Sequence, residues 1–168
     1  MGWISVIFAH KVIGVATSAQ LDGEALCARL LRSVGLDPAA PVDPEQMIGD
    51  ADFFDLLERI AEQVDRGREV PLRVGASMRC DDYGAFGLAW KSATTLRGSY
   101  DRAQRYALVL TSVSMYEVEQ TVNGAFMHLH REGERRLGLR LSNEATLASI
   151  ASISREVASS PFRALEVH

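Results

Sequence analysis

Between residues 113 and 131 the spacing of apolar side chains changes from the helical repeat of about 3.6 to a repeat of two, around a single Asn123-Gly124. Before that dipeptide, Val113, Met115, Glu117, Glu119 and Thr121 alternate with Ser114, Tyr116, Val118, Gln120 and Val122. After it, Phe126, His128 and His130 alternate with Met127 and Leu129. Asn-Gly tolerates the positive φ that a tight hairpin turn imposes on both of its central residues. The pattern therefore predicts an antiparallel hairpin with strands over 113–122 and 125–131. Most of what precedes it has helical spacing. That order favours an α+β domain, helices packed on a small antiparallel sheet, over a doubly wound parallel one.

The helical part can be read segment by segment. Ile4, Ile7, Phe8, Val12 and Val15 fall near helical spacing within 3–19, although their β-branched content keeps a strand reading open. Asp22 is placed to cap a helix carrying Leu26, Leu30, Leu31 and Val34, which Gly35 ends. Pro38, Pro41 and Pro44 mark a loop. Asp50 then precedes a helix over 51–65 with Phe53, Phe54, Leu57, Ile60 and Val64 inward. Pro71 can open a turn through Val74 and Met78, and Gly84 and Gly87 flank a bend. Thr95 is placed to cap a helix over 96–108 with Tyr100, Ala103 and Ala107 inward. Beyond the hairpin, 131–136 reads as a charged turn, and Leu137, Leu139 and Leu141 as a third strand. Ser142 or Asn143 would cap a last helix, and 162–168 alternates like a final strand.

The totals exclude several function classes. A chain of 168 residues suits one domain over 1–168. A net charge of −4 supplies no basic field for nucleic acid. Two distant cysteines, Cys27 and Cys80, fit neither a disulfide framework nor a four-cysteine zinc site, and suit a cytoplasmic location. His10 and Lys11 interrupt the apolar N-terminal run before it reaches the length of a membrane span. Gly84 and Gly87 follow no strand, so no phosphate loop is predicted. Gly75-Ala76-Ser77-Met78-Arg79 lacks the second glycine of a nucleophile elbow. No enzyme activity and no cofactor are expected.

The remaining candidates point to binding. His128 and His130 lie two apart on a strand and so share one face. They could hold a metal, line a ligand cavity, or simply face solvent; a metal would need a third ligand brought by the fold, from His10, Cys27, Cys80 or His168. Tyr83, Phe86, Trp90, Tyr100 and Tyr106 form an aromatic-rich stretch that can wall a pocket or serve as plain core. Asp81 and Asp82 read as capping residues rather than an acid–base pair. The candidate ligand-binding set is thus Tyr83, Phe86, Trp90, Tyr106, His128 and His130.

Several of these segments also have a family likeness. Leu30-Leu31-Arg32-Ser33-Val34-Gly35-Leu36-Asp37-Pro38 resembles the "LL-x-x-x-GLDP" opening of the arabinose-binding-type N-terminal domain of AraC regulators. Phe53-Phe54-Asp55-Leu56-Leu57-Glu58 is similar to its next block, and Leu72-Arg73-Val74-Gly75 to its "GLRLG" segment. Tyr83-Gly84-Ala85-Phe86-Gly87 matches its "GxxG". Thr94-Thr95-Leu96 with Ala103 and Tyr106 resembles its "PTL-x-x-AL-x-x-x-x-RY" helix, with Thr94 where proline is common. The resemblance spans about residues 25 to 168. It implies a sensor that binds a small-molecule effector or forms a homodimer, and that meets DNA only through a separate C-terminal helix-turn-helix domain. No such domain is legible here, so a fragment of a longer regulator is expected. A ligand-free dimerisation module and a small metal- or haem-binding sensor are the alternatives.

Overall fold

Trp3–Ser5 forms a short strand, β1, and the chain turns at once into helix α1, Val6–Thr17. Both readings of this segment were therefore half right. The Ser5 hydroxyl marks the switch by accepting a hydrogen bond from the Ile7 N–H at 3.3 Å, a side-chain N-cap. Val6, Ala9, Val12, Ile13 and Ala16 are almost wholly buried, so α1 is the central post of the core. The computed structural model describes residues 2–122 and 124–167.

Around this post stand α2 (Gly23–Ser33), α3 (Asp50–Gln63) and α4 (Val70–Ser77). Asp22 sits at the N-cap of α2, but its side chain makes no capping bond. Gly49 rather than Asp50 is the N-cap residue of α3, and Asp50 opens the helix as an acidic first-turn residue. A strand absent from the sequence reading, β2 (Met47–Gly49), precedes α3 and pairs antiparallel with β1. Pro71 lies in the first turn of α4, where its missing N–H has no helical partner to lose.

Next come α5 (Gly84–Lys91) and α6 (Leu96–Tyr106). Thr95 caps α6 as predicted, its hydroxyl accepting from the Gly98 N–H at 3.0 Å. The hairpin is β3 (Ser114–Thr121) and β4 (Gly124–Arg131), paired with Ser114 opposite Arg131 and Tyr116 opposite Leu129. Asn123 lies outside the described residues. The pairing of Thr121 with Gly124 leaves two residues between the strands, and Gly124 has φ 151°, a backbone that favours glycine.

The sequence reading fails at 137–141. These residues open a long helix, α7 (Leu137–Val157), and Ser142 and Asn143 lie inside it rather than capping it. Leu137 and Leu141 are four apart as well as separated by a pair of two-residue steps, and Leu and Arg are strong helix formers. The first turn of α7 is fixed from outside: the Glu58 carboxylate accepts the Gly138 N–H at 2.7 Å and a bond from Arg136. The described part of the expected final strand, Phe162–Val167, forms no strand, and His168 lies outside the described residues.

Helix α7 packs most closely on α4, and small residues make this possible. Gly75 of α4 abuts the backbone of Ala145 and Ser149. Ser152 donates to the Ala76 and Met78 carbonyl oxygens, at 3.1 and 2.9 Å, as α4 ends. It thus supplies a donor for C-terminal carbonyls that a helix leaves unpaired. Among the described residues the result is seven α-helices and two antiparallel two-stranded sheets, an α+β fold. No helix among them is long and apolar enough to cross a membrane.

Candidate ligand site

Where the hairpin lies over the helices, packing is incomplete. A cavity remains in which the centre of a water-sized sphere has about 70 Å³ to move. One water needs roughly 10–15 Å³ of such space, so the cavity has room for several waters or a compact organic molecule. Its walls come from both halves of the fold. Phe8 and Val12 of α1, Phe53 of α3 and Met78 beyond α4 give it an apolar floor.

Aromatic rings form one side. Tyr83 stands edge-on to Phe8 with centroids 5.8 Å apart, and lies 5.9 Å from both Phe86 and Trp90. Phe86 and Trp90 meet edge to face at 5.5 Å. Such edge contacts are favourable beyond the area they bury. Burial pushes the Tyr83 phenol well above its ordinary pKa, so it is a neutral group in this wall. The Trp90 indole N–H is buried without a hydrogen-bond acceptor among the described residues.

The opposite side is polar. The inward face of the hairpin contributes Ser114, Tyr116, Met127 and Arg131, and α7 contributes Ser142, Thr146 and Ser149. Arg131 is the last residue of β4, and its guanidinium turns onto α7. Nε donates to Asn143 Oδ1 at 2.8 Å, and Nη2 donates to Ser142 Oγ at 2.6 Å and Thr146 Oγ1 at 3.1 Å. Nη1 donates to Ser114 Oγ. All four acceptors are neutral. Among the described residues no carboxylate pairs with Arg131. Burial lowers its pKa from the ordinary guanidinium value, yet a guanidinium stays charged at any physiological pH. Burial raises the pKa of the neighbouring Tyr116 phenol, against a smaller opposing pull from the Arg131 charge.

The sequence-predicted candidates divide. Tyr83, Phe86 and Trp90 line the cavity. Tyr106, at the end of α6, is 43% exposed and is absent from the lining. His128 and His130 point to the outer face of the hairpin, their rings stacked at 6.2 Å. His128 Nε2 lies 3.0 Å from Glu119 and His130 Nε2 lies 3.1 Å from Glu117, all four side chains largely in solvent. Among the described residues no group of three or more His, Cys, Asp or Glu side chains gathers as a metal site. Cys27 is half-buried, and burial pushes the Cys80 thiol up to about 11, away from reactivity. Asp82 closes the turn before α5, accepting from the Arg79 N–H at 2.8 Å and pairing with Lys11 at 2.9 Å.

Arg131 and Tyr116 were within reach of the period-two argument. Met127 and Leu129 were placed on one face, and the next member of that series is residue 131. Residue 131 reads both as the end of the return strand and as the start of the charged turn, and only the strand reading turns its side chain inward.

The family model for the arabinose-binding domain of AraC transcription regulators, N-terminal, matches residues 26–168. The chain belongs to this family. The cavity of this arabinose-binding-type domain lies largely within the matched region; Ile4, Phe8 and Val12 are the lining residues that precede it. Comparison with curated proteins gives no match.

Proposed function

We propose that this domain is the effector sensor of an AraC-type regulator, binding a small molecule in the cavity between the helices and the hairpin. The observation that carries the reading is the cavity itself: apolar and aromatic on one side, polar on the other, in a domain whose family is a regulator's N-terminal domain. Its walls are shared by α1, α5, α6, the hairpin and α7. An occupant therefore favours whichever arrangement of these elements closes best around it, which is the differential binding that a ligand needs to shift a conformational equilibrium. The shift would reach DNA through a helix-turn-helix domain carried elsewhere in the regulator, and the regulator would act as a homodimer. Exposed Leu108, Val109 and Met115 offer apolar surface for such a contact. The reading assigns the domain no catalytic step. Its free cysteines suit a reducing cytoplasm.

The test is thermal stabilisation by a metabolite panel. A true effector at about 100 times its Kd adds about 2.7 kcal/mol to stability. For a domain of this size that is roughly 5–11 °C in Tm. Ala103→Leu, which adds bulk to the cavity wall, should abolish the shift while the variant still melts cooperatively. A stabilising compound that acts equally on both proteins would place its site outside the cavity.

A further inference from the structure

We propose that the cavity takes a small, mainly apolar carboxylate whose anionic end pairs with Arg131. This deepens the sensor reading and rests on it. The case begins with an imbalance. Arg131 is partly withdrawn from water, and the groups around it, Asn143, Ser114, Ser142 and Thr146, are all uncharged. Their oxygens satisfy hydrogen-bond geometry but leave the full positive charge unneutralised. A desolvated cation without a counter-ion is among the more expensive features a fold can keep.

Donors also outnumber acceptors at this end of the cavity. A guanidinium has five N–H groups, and four are engaged, which leaves one on Nη1. The Ser114 and Ser142 hydroxyls accept from Arg131, and among the described residues their own hydrogens meet no acceptor. The Tyr116 phenol, beside the same guanidinium, likewise meets no acceptor among the described residues, unlike Thr146, which donates to the Ser142 carbonyl at 2.9 Å. An anion is the ligand that turns such surplus donors into bonds. A carboxylate suits one planar guanidinium better than a phosphate, whose second charge would face no further cation. The rest of the wall is apolar, so a neutral sugar would lose most of its hydroxyl hydration there without replacement partners. The body of the ligand is accordingly apolar.

The experiment uses the full chain and matched pairs of butyrate, hexanoate, benzoate and phenylacetate with their primary amides, read by thermal shift and calorimetry. At least one acid should bind about tenfold or more tightly than its amide, the expected effect of a charge-assisted hydrogen bond. Arg131→Gln should melt within a few degrees of wild type and bind acid and amide alike. Equal binding of every acid and amide by the wild-type chain overturns the carboxylate assignment and leaves the sensor reading standing. Retention of the acid preference in Arg131→Gln overturns it too. If none of these acids or amides binds, the carboxylate assignment falls, and the sensor reading is decided separately by the metabolite panel. The wild-type comparison decides the matter even if the variant does not fold.

Discussion

Adding one methyl group to the contact between α4 and α7 should destabilise the domain, although the same change improves an ordinary helix. A β-carbon on Gly75 would stand 2.2 Å from the Ala145 carbonyl oxygen and 2.6 Å from the Ala148 β-carbon. Neither atom belongs to a flexible side chain. Relief requires the two helices to part by about 1 Å, since carbon atoms rest about 3.5–4.0 Å apart at contact. Overpacking costs roughly 1–3 kcal/mol, and a clash with two rigid atoms at once lies in the upper part of that range, about 2–3 kcal/mol. Against it stands the gain from replacing glycine with alanine in a helix, at most about 1 kcal/mol. The balance for Gly75→Ala is a loss of about 1–2 kcal/mol, or roughly 2–8 °C in Tm. Gly14→Ala is the control: Gly14 is exposed in α1 with nothing within 4 Å of its added carbon. It should gain about 0.5–1 kcal/mol. Thermal melts followed by far-UV circular dichroism measure both. A Gly75→Ala protein as stable as wild type, beside a normal gain at Gly14, would refute the close approach of α4 and α7. That approach also sets where Ser142 and Thr146 stand, so the variant should bind carboxylate probes more weakly as well.

The remaining predictions concern the ion pair at the start of α7 and the histidines. Glu58 has its carboxyl held below the ordinary value, chiefly by the hydrogen bond from Arg136, with burial opposing. A lowered folded-state value contributes stability above the unfolded value near 4.5, and that contribution disappears as pH falls through the lowered one. Glu58→Gln should therefore narrow the gap between urea midpoints measured at neutral pH and below pH of about 4. An unchanged gap would remove Glu58 from the acid response. His128→Ala combined with His130→Ala should leave the fold and any cavity affinity intact, because both rings face solvent and pair only with exposed Glu119 and Glu117. A Kd raised more than about tenfold, a loss of about 1.4 kcal/mol, would show that the outer face of the hairpin does reach the ligand.

The parts of this fold legible in the sequence are those where one local signal acts alone. Thr95 before an apolar-periodic run, and alternation on both sides of Asn123-Gly124, gave α6 and the hairpin because cap and turn chemistry are short-ranged. Residues 137–141 were misread because three leucines two apart satisfy both periods over so short a run. The choice was made by Glu58 and Arg136, contacts some eighty positions apart in the chain. Strand β2 was missed for the same reason, since Met47–Gly49 is extended only because β1 lies beside it. At the site, the aromatic wall was visible as a cluster, and Tyr83, Phe86 and Trp90 meet in space. The histidines stand out by chemistry and the inward arginine does not, because Arg131 ends the strand and opens the charged turn 131–136 at once.

In β4, positions 127, 129 and 131 turn toward the protein and 126, 128 and 130 toward water. Neighbouring codons of one short ribbon thus answer to different demands. Changes at the even positions alter the exterior, while changes at Met127 or Arg131 alter the cavity wall without showing outside. A single-residue insertion would exchange the two sets, bringing imidazoles into the chamber and sending the guanidinium out. Length, more than composition, is what this ribbon has to conserve.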